Sequence, residues 1–399
     1  MNKFRISKLR LKLCATIKDE YYLINGVQSA LVLMMQLLRR VNSRLLWCRL
    51  LICVGLASSM ELTAATGAVI LQYHHVSSET PGITSISPEK FEAHIQTIIN
   101  QGYQVLPLAD IVEPLRDQTA IPDKAVGITF DDAYVNIYEN AYPILKRHKL
   151  PFTIFVATDY VGVNPNQYLS WAQLREMQLN GATINNHTAS HPHLLRQNSG
   201  ESKRSWRRRV KKEILFAEQA LRENLPPSEQ DTLKMLAYPY GEYNPEIEEI
   251  ITGLGYIAFG QQSGAVGYHS DFTVLPRFPL AGDYTDMASF EIKLNTLPLP
   301  VNMTRINPLL PENVTRPTLE LQFLTAELNL GTLTCFGPGG RLPIRQIDPQ
   351  RVLISTETQV PVGRSRYNCT MPYGKTGRFY WFSQLWIRKN DDGSWYQEK

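Results

Sequence analysis

The sequence predicts an α/β protein: an irregular (β/α)7-type barrel followed by a small all-β sandwich domain. Three observations predict it. From Ala68 to Arg277, short apolar β-branched runs alternate with helix-period stretches, the pattern of parallel strands joined by helical crossovers. From Thr318 the helical period vanishes and short alternating strands take over. Between them, Pro298, Pro300, Pro308, Pro311 and Pro317 punctuate a linker. At 399 residues the chain has room for two domains.

The expected boundaries are 1–65 for an N-terminal extension, 66–290 for the barrel, 291–317 for the linker and 318–399 for the β domain. In the extension, Arg39, Arg40, Arg44 and Arg49 precede the apolar run Leu50 to Ala57, and small residues follow up to Ala64 and Ala65. A basic start, a short apolar centre and a small-residue exit form the layout of a signal peptide. Translation from Met34 or Met35 would give a leader of ordinary length; a retained anchor is the alternative. Either implies export to a periplasmic or extracellular location, with membrane contact only through an uncleaved leader.

The barrel opens with a strand over Ala68–Tyr73 that runs into His74 and His75. Ser87 caps a helix with Pro88 at its first position, continuing to Gly102. Then come strand Ala125–Phe130, helix Ile137–His148, strand Phe152–Val156, helix Trp171–Leu179 and strand Ala182–Asn186. Helix Ser205–Leu225, strand Met235–Tyr238, helix Asn244–Leu254, strands Tyr256–Phe259 and Val274–Arg277, and helix Asp286–Leu294 complete it. Lys203, Arg204, Arg207, Arg208, Arg209, Lys211 and Lys212 read as a solvated helix face. The β domain is read from Thr318–Leu324, Arg351–Ser355 and Arg378–Arg388. Of Tyr380, Trp381, Phe382, Trp386 and Trp395, alternation turns about half inward, which favours core packing over sugar stacking.

The net charge of +4 comes from the extension, which holds ten of 41 Lys/Arg but only three of 37 Asp/Glu. The body is weakly acidic and offers no general footprint for nucleic acid. Its two cysteines, Cys335 and Cys369, suit one disulfide in an oxidising compartment.

The chemistry-bearing stretch is Gly127 to Asp132, a buried strand ending in Asp131-Asp132. Adjacent residues on an extended chain point oppositely, so one acid can bind a cation while the other stays free as a base. The bland alternative is a loop start and helix cap. His187 and His191 follow another strand, four apart, as on one helical turn. With Asp132 they make two imidazoles and a carboxylate, the three-ligand set of a catalytic metal site. A third strand end carries Ala237-Tyr-Pro-Tyr-Gly241, whose backbone N–H groups can face an oxyanion.

In type, order and spacing these motifs resemble the polysaccharide deacetylases of carbohydrate esterase family 4, the NodB homology domain, over about residues 68–285. The resemblance implies Asp131 as general base; Asp132, His187 and His191 as metal ligands; and the Tyr240 N–H as oxyanion donor. It implies a divalent metal, zinc first, with iron, cobalt, nickel or manganese as alternatives. The substrate it implies is a polysaccharide containing N-acetylglucosamine. Two positions depart from the pattern. Ala237 stands where many members have an Arg that steadies the base, and Arg277 is expected to substitute. No His follows His269, so the usual late acid is missing. Tyr73-His74-His75 matches the first-strand arrangement of poly-N-acetylglucosamine deacetylases, making His74 the expected acid and His75 the reserve. An O-acetyl esterase and a non-catalytic glycan-binding protein on the same fold are the rival readings.

Overall fold

The computed structural model describes residues 64–65, 67–227, 233–302 and 305–398; the leader or anchor read from Arg39 to Ala57 lies outside them. The main sheet is built on seven parallel strands, β1 (Gly67–Tyr73), β2 (Ala125–Asp131), β3 (Phe152–Val156), β4 (Ala182–Asn186), β5 (Met235–Ala237), β6 (Ile257–Phe259) and β7 (Phe278–Pro279), with the two-residue strand Gln104–Val105 added parallel to β2 and Val266–Gly267 antiparallel to β1. They pair in the order β6, β5, β4, β3, β2, β1, with β7 beyond β1 through Phe278 opposite Leu71. Leu275 bridges back in parallel to Phe259 of β6. Segment 275–279 therefore touches both edges of the sheet and curls it. The expected strand Val274–Arg277 is displaced to Phe278–Pro279, because the Arg277 N–H is taken by the Gln262 carbonyl and the ladder with β1 starts only at Phe278.

Strands β1 to β4 are buried along their whole length, as parallel strands covered on both faces must be. The helices are α1 (Pro88–Asn100), α2 (Leu108–Arg116), α3 (Tyr142–His148), α4 (Trp171–Gln178), α5 (Lys203–Asn224), α6 (Pro245–Gly253) and α7 (Met287–Leu294). Ser87 caps α1 as expected, accepting the Lys90 N–H. Helix α2 is not among the expected elements; Pro114 inside it breaks the helical signal. It packs tightly on β2, where a Cβ on Gly127 would come within 2.7 Å of Leu108 Cδ2. Before α3, Ile137–Ala141 winds as a wider π-type turn, so the α-helix begins at Tyr142 rather than Ile137. Among the described residues no helix is long and apolar enough to cross a membrane.

The C-terminal region forms two sheets. One runs Thr296–Pro298, Phe379–Arg388, Gly363–Pro372, Thr334–Gly337, Gly340–Arg341; the other runs Val301–Asn302, Leu319–Phe323, Arg351–Ile354, Ile344–Asp348. Between them lie Leu319, Leu321, Phe323, Val352, Tyr367 and Trp386. Cys335 and Cys369, opposite each other in the ladder, are bonded. Two strands come from the proline-rich stretch, so residues 296–302 are built into the sheets rather than free as a linker. Trp386 is core, and Trp381 packs edge-on against Phe278 of the barrel. Leu385 and Ile387 share a buried cluster with Trp206, Tyr238 and Ile247 of the barrel. At roughly 1.5–3 kcal/mol per fully buried aliphatic side chain, such contacts fasten the β domain to the barrel.

Candidate active site

The C-terminal ends of β2, β4 and β5 converge, and each leaves its strand through a left-handed turn. Asp132, Ala133, Thr188, His191 and Tyr240 all have positive φ, between 52° and 73°. They are five of the eight non-glycine residues with positive φ among those described. Such backbone costs about 1–2 kcal/mol per residue and persists where surrounding contacts over-determine it.

Asp131 is the last residue of β2, and Asp132 begins the turn. The two carboxylates part company there. Asp132 Oδ1 lies 3.2 Å from His187 Nε2 and 3.2 Å from His191 Nε2. The expected helical turn over His187–His191 is absent. Thr188 (φ 68°) and His191 (φ 52°) make an irregular loop, pinned by Asn186 Oδ1 accepting the Thr188 N–H and Thr188 Oγ1 accepting the His191 N–H. These local side-chain bonds replace helical ones and still bring both rings to Asp132.

His187 Nδ1 lies 2.8 Å from the Ala237 carbonyl at the end of β5. A carbonyl only accepts, so Nδ1 carries the proton and Nε2 presents its lone pair. That Nε2 is buried and has no hydrogen-bond partner. Donor atoms of Asp132, His187 and His191 all lie within 4.8 Å of one another. An unpartnered buried imidazole lone pair, a second imidazole and a carboxylate fit a divalent cation. Burial pushes the Asp132 pKa up, but the adjacent His187 and His191 rings outweigh it and hold the carboxyl well below its usual range. Burial and the neighbouring His187 push His191 down to about 4. Burial also works against a charged His187, yet Asp132 and Asp131 leave it above its ordinary value.

Asp131 is fully buried and faces other partners. Arg277 donates to both its oxygens, NH1 to Oδ1 at 2.7 Å and NH2 to Oδ2 at 2.8 Å, and Gln72 Nε2 donates to Oδ2 at 2.6 Å. Arg277 is itself buried and held by the Gly260 carbonyl and Thr129 Oγ1. It thus reaches Asp131 from segment 275–279. Burial raises the Asp131 pKa, but the Arg277 charge and hydrogen bonds prevail and the net is downward. His74 Nε2 lies 3.9 Å from Asp131 Oδ2. His75 is locked instead, stacked on Tyr134 at 3.6 Å with Nδ1 accepting from Asn136 Nδ2.

Tyr240 follows β5, with φ 59°, and Gly241 follows with φ 67°. A Cβ at Gly241 would meet the Gln261 Cβ at 2.7 Å, so this double left-handed turn needs glycine. The Tyr240 ring stacks on His193 at 3.8 Å and meets His191 edge-on at 4.6 Å. Sequence reasoning missed Gln72, whose signal was a lone polar residue inside an apolar strand. It also missed His193, Glu242 and Arg364, discussed below, for which no local pattern exists.

A parallel barrel with these side chains at its strand ends is the architecture of an enzyme. A family description, polysaccharide deacetylase, matches residues 118–259. The poly-β-1,6-N-acetyl-D-glucosamine N-deacetylase of Staphylococcus aureus (strain MRSA252) is 30% identical over 205 residues, covering 50% of this chain and 69% of that protein. A solved de-N-acetylase from Aggregatibacter actinomycetemcomitans shares the fold with a TM-score of 0.50 at 19% identity, over 57% of this chain and 99% of that one. A Streptococcus pyogenes deacetylase solved with acetate is 25% identical with a TM-score of 0.49, over 55% of this chain and 95% of that one. The chain belongs to the polysaccharide deacetylase family. The matched segment contains Asp131, Asp132, His187, His191 and Tyr240; His74 and Arg277 lie outside it.

Proposed function

We propose that this chain removes N-acetyl groups from a polysaccharide containing N-acetylglucosamine, using a divalent cation held by Asp132, His187 and His191. One observation carries the reading: two adjacent carboxylates are divided between two environments. Asp132 faces two imidazoles, while Asp131 faces Arg277 and His74. Two imidazoles and one carboxylate suit zinc, and the same set also serves non-haem iron. When bound, the cation supplies Lewis acidity that lets water act as a nucleophile near neutral pH. Asp131, kept ionised by Arg277, accepts the proton of the attacking water. The Tyr240 N–H faces the carbonyl oxygen as negative charge develops on it. His74 protonates the departing amine. An amine leaves poorly without a proton, so an acid placed beside the base favours the amide over the ester. The name of the S. aureus relative supports the polymer class. The basic and apolar N-terminal segment supports export.

The test is acetate release from β-1,6-linked N-acetylglucosamine oligomers. Expected is turnover that a chelator abolishes and zinc restores. Faster release from acetylated xylan would favour an O-acetyl esterase. Oligomer binding without turnover under any of the metals would leave a glycan-binding protein.

A further inference from the structure

A second group of charged side chains lies directly behind Tyr240, where the β domain meets the barrel. Glu242 follows the Tyr240-Gly241 turn and is fully buried. Its Oε2 lies 2.9 Å from His193 Nδ1; its Oε1 accepts from Arg364 NH1 at 3.0 Å and from the Tyr396 hydroxyl. Arg364 stands on the β-domain strand Gly363–Pro372. It also donates NH1 and NH2 to the two oxygens of Glu398, each at 2.7 Å. Its guanidinium lies over the Tyr240 ring, 5.5 Å from the centroid, while His193 stacks on the same residue at 3.8 Å. His193, Glu242 and Glu398 have ligand-like spacing, but Arg364 already supplies the cation among them.

We infer that the β domain completes the catalytic site, with Arg364 as a positioning residue that holds Tyr240 in its left-handed turn directly and through Glu242 and His193. The inference rests on the reading of Tyr240 as the donor to the reacting carbonyl. A non-glycine residue at φ 59° stays there only if its surroundings leave it no cheaper conformation. The barrel supplies His193, His191 and the Gln261 wall. The β domain supplies Arg364, Glu398 and Tyr396. Without Arg364, Glu242 keeps its burial and loses its only guanidinium among the described residues, which frees the turn to shift. A displacement near 1 Å at a reacting centre costs about 100-fold in rate.

The experiment compares Arg364→Met, Arg364→Lys and Glu398→Gln in the full chain. It measures kcat and KM for acetate release, zinc stoichiometry, thermal midpoint and the 19F shift of 3-fluorotyrosine placed at position 240. Arg364→Met is expected to lower kcat by about 10–100-fold, with KM little changed and one zinc still bound. Arg364→Lys restores only part, since an ammonium lacks the fork that spans two carboxylates. Glu398→Gln, at a partly exposed carboxylate, gives a smaller loss and a smaller 19F shift in the same direction. Wild-type kcat in folded Arg364→Met overturns the inference, as does a loss wholly explained by weaker zinc binding or by unfolding at the assay temperature. If Arg364→Met does not fold, Glu398→Gln decides: unchanged kcat and 19F shift overturn it. If the wild type shows no deacetylase activity, the functional reading fails. The 19F shift then decides the positioning alone: movement in the variants supports it, and none overturns it.

Discussion

Two clusters of histidine and carboxylate lie side by side on this chain, and both have ligand-like spacing. One is Asp132, His187 and His191; the other is His193, Glu242 and Glu398. They share a loop and differ in where their positive charge comes from. The second has Arg364 inside it, donating three hydrogen bonds of 3.0 Å or less to its two carboxylates. Among the described residues, the first has no guanidinium as a hydrogen-bond partner. The nearby Arg277 is directed at Asp131, Thr129 and Gly260. His187 Nε2 is left with a free lone pair. Spacing alone therefore does not tell the two clusters apart; the guanidinium of Arg364 inside the second does.

The sharpest way to break the comparison is one substitution in each cluster. His187→Gln should abolish zinc uptake in equilibrium dialysis, a larger effect than the ~10–100-fold affinity loss of an outer partner. His193→Gln should leave one zinc per chain. Loss of zinc from both variants would erase the distinction. Next in size, Asp131→Asn should lower kcat by about 10²–10⁴-fold, the span of general base catalysis, with zinc stoichiometry unchanged. Arg277→Met should cost about 3–5 kcal/mol in denaturant unfolding, because it leaves Asp131 buried without its charge partner. Adding Asp131→Asn to that variant should recover part of the loss.

Glu248 supplies a gentler contrast. It is buried like Glu242, but its nearest cation is the half-exposed Arg305, 3.6 Å from Oε2. Burial, aided by Asp271, raises its pKa to about 7 against the opposing pull of Arg305. A raised folded-state pKa gives stability that is full below the unfolded value near 4.5 and is lost as pH rises through about 7. Glu248→Gln should therefore raise the thermal midpoint at pH 8 and change it little at pH 4.5. An equal shift at both pH values would contradict the assignment. The smallest effect belongs to the exposed pair Lys203–Glu246 on the basic face of α5. Lys203→Gln should cost under about 1 kcal/mol, since solvent already screens the pair.

Much of this molecule was legible in one dimension. Strands Phe152–Val156 and Ala182–Asn186 fall where the apolar runs place them, and Ser87 caps its helix as its side chain dictates. These are local effects: periodicity and capping. The helical turn expected at His187–His191 fails because the side chains of Asn186 and Thr188 take over the backbone bonding. Helix α2 was hidden by its internal proline. Only the lack of an arginine at Ala237 points from the sequence to Arg277 as the partner of Asp131, and its actual reach depends on segment 275–279 closing the sheet.

By itself, the sequence determined the repeating barrel units, the β region after them, and the two acids and two imidazoles at strand ends. Burial pattern and strand polarity follow from residue type at short range. Only the tertiary structure decided which nitrogen of His187 is free, which cluster contains its own guanidinium, and that Arg364 reaches Tyr240 from the other domain. Those facts join residues from 50 to more than a hundred positions apart, and no local preference encodes them. They exist only once the packed chain excludes water and forces each buried charge to find a partner.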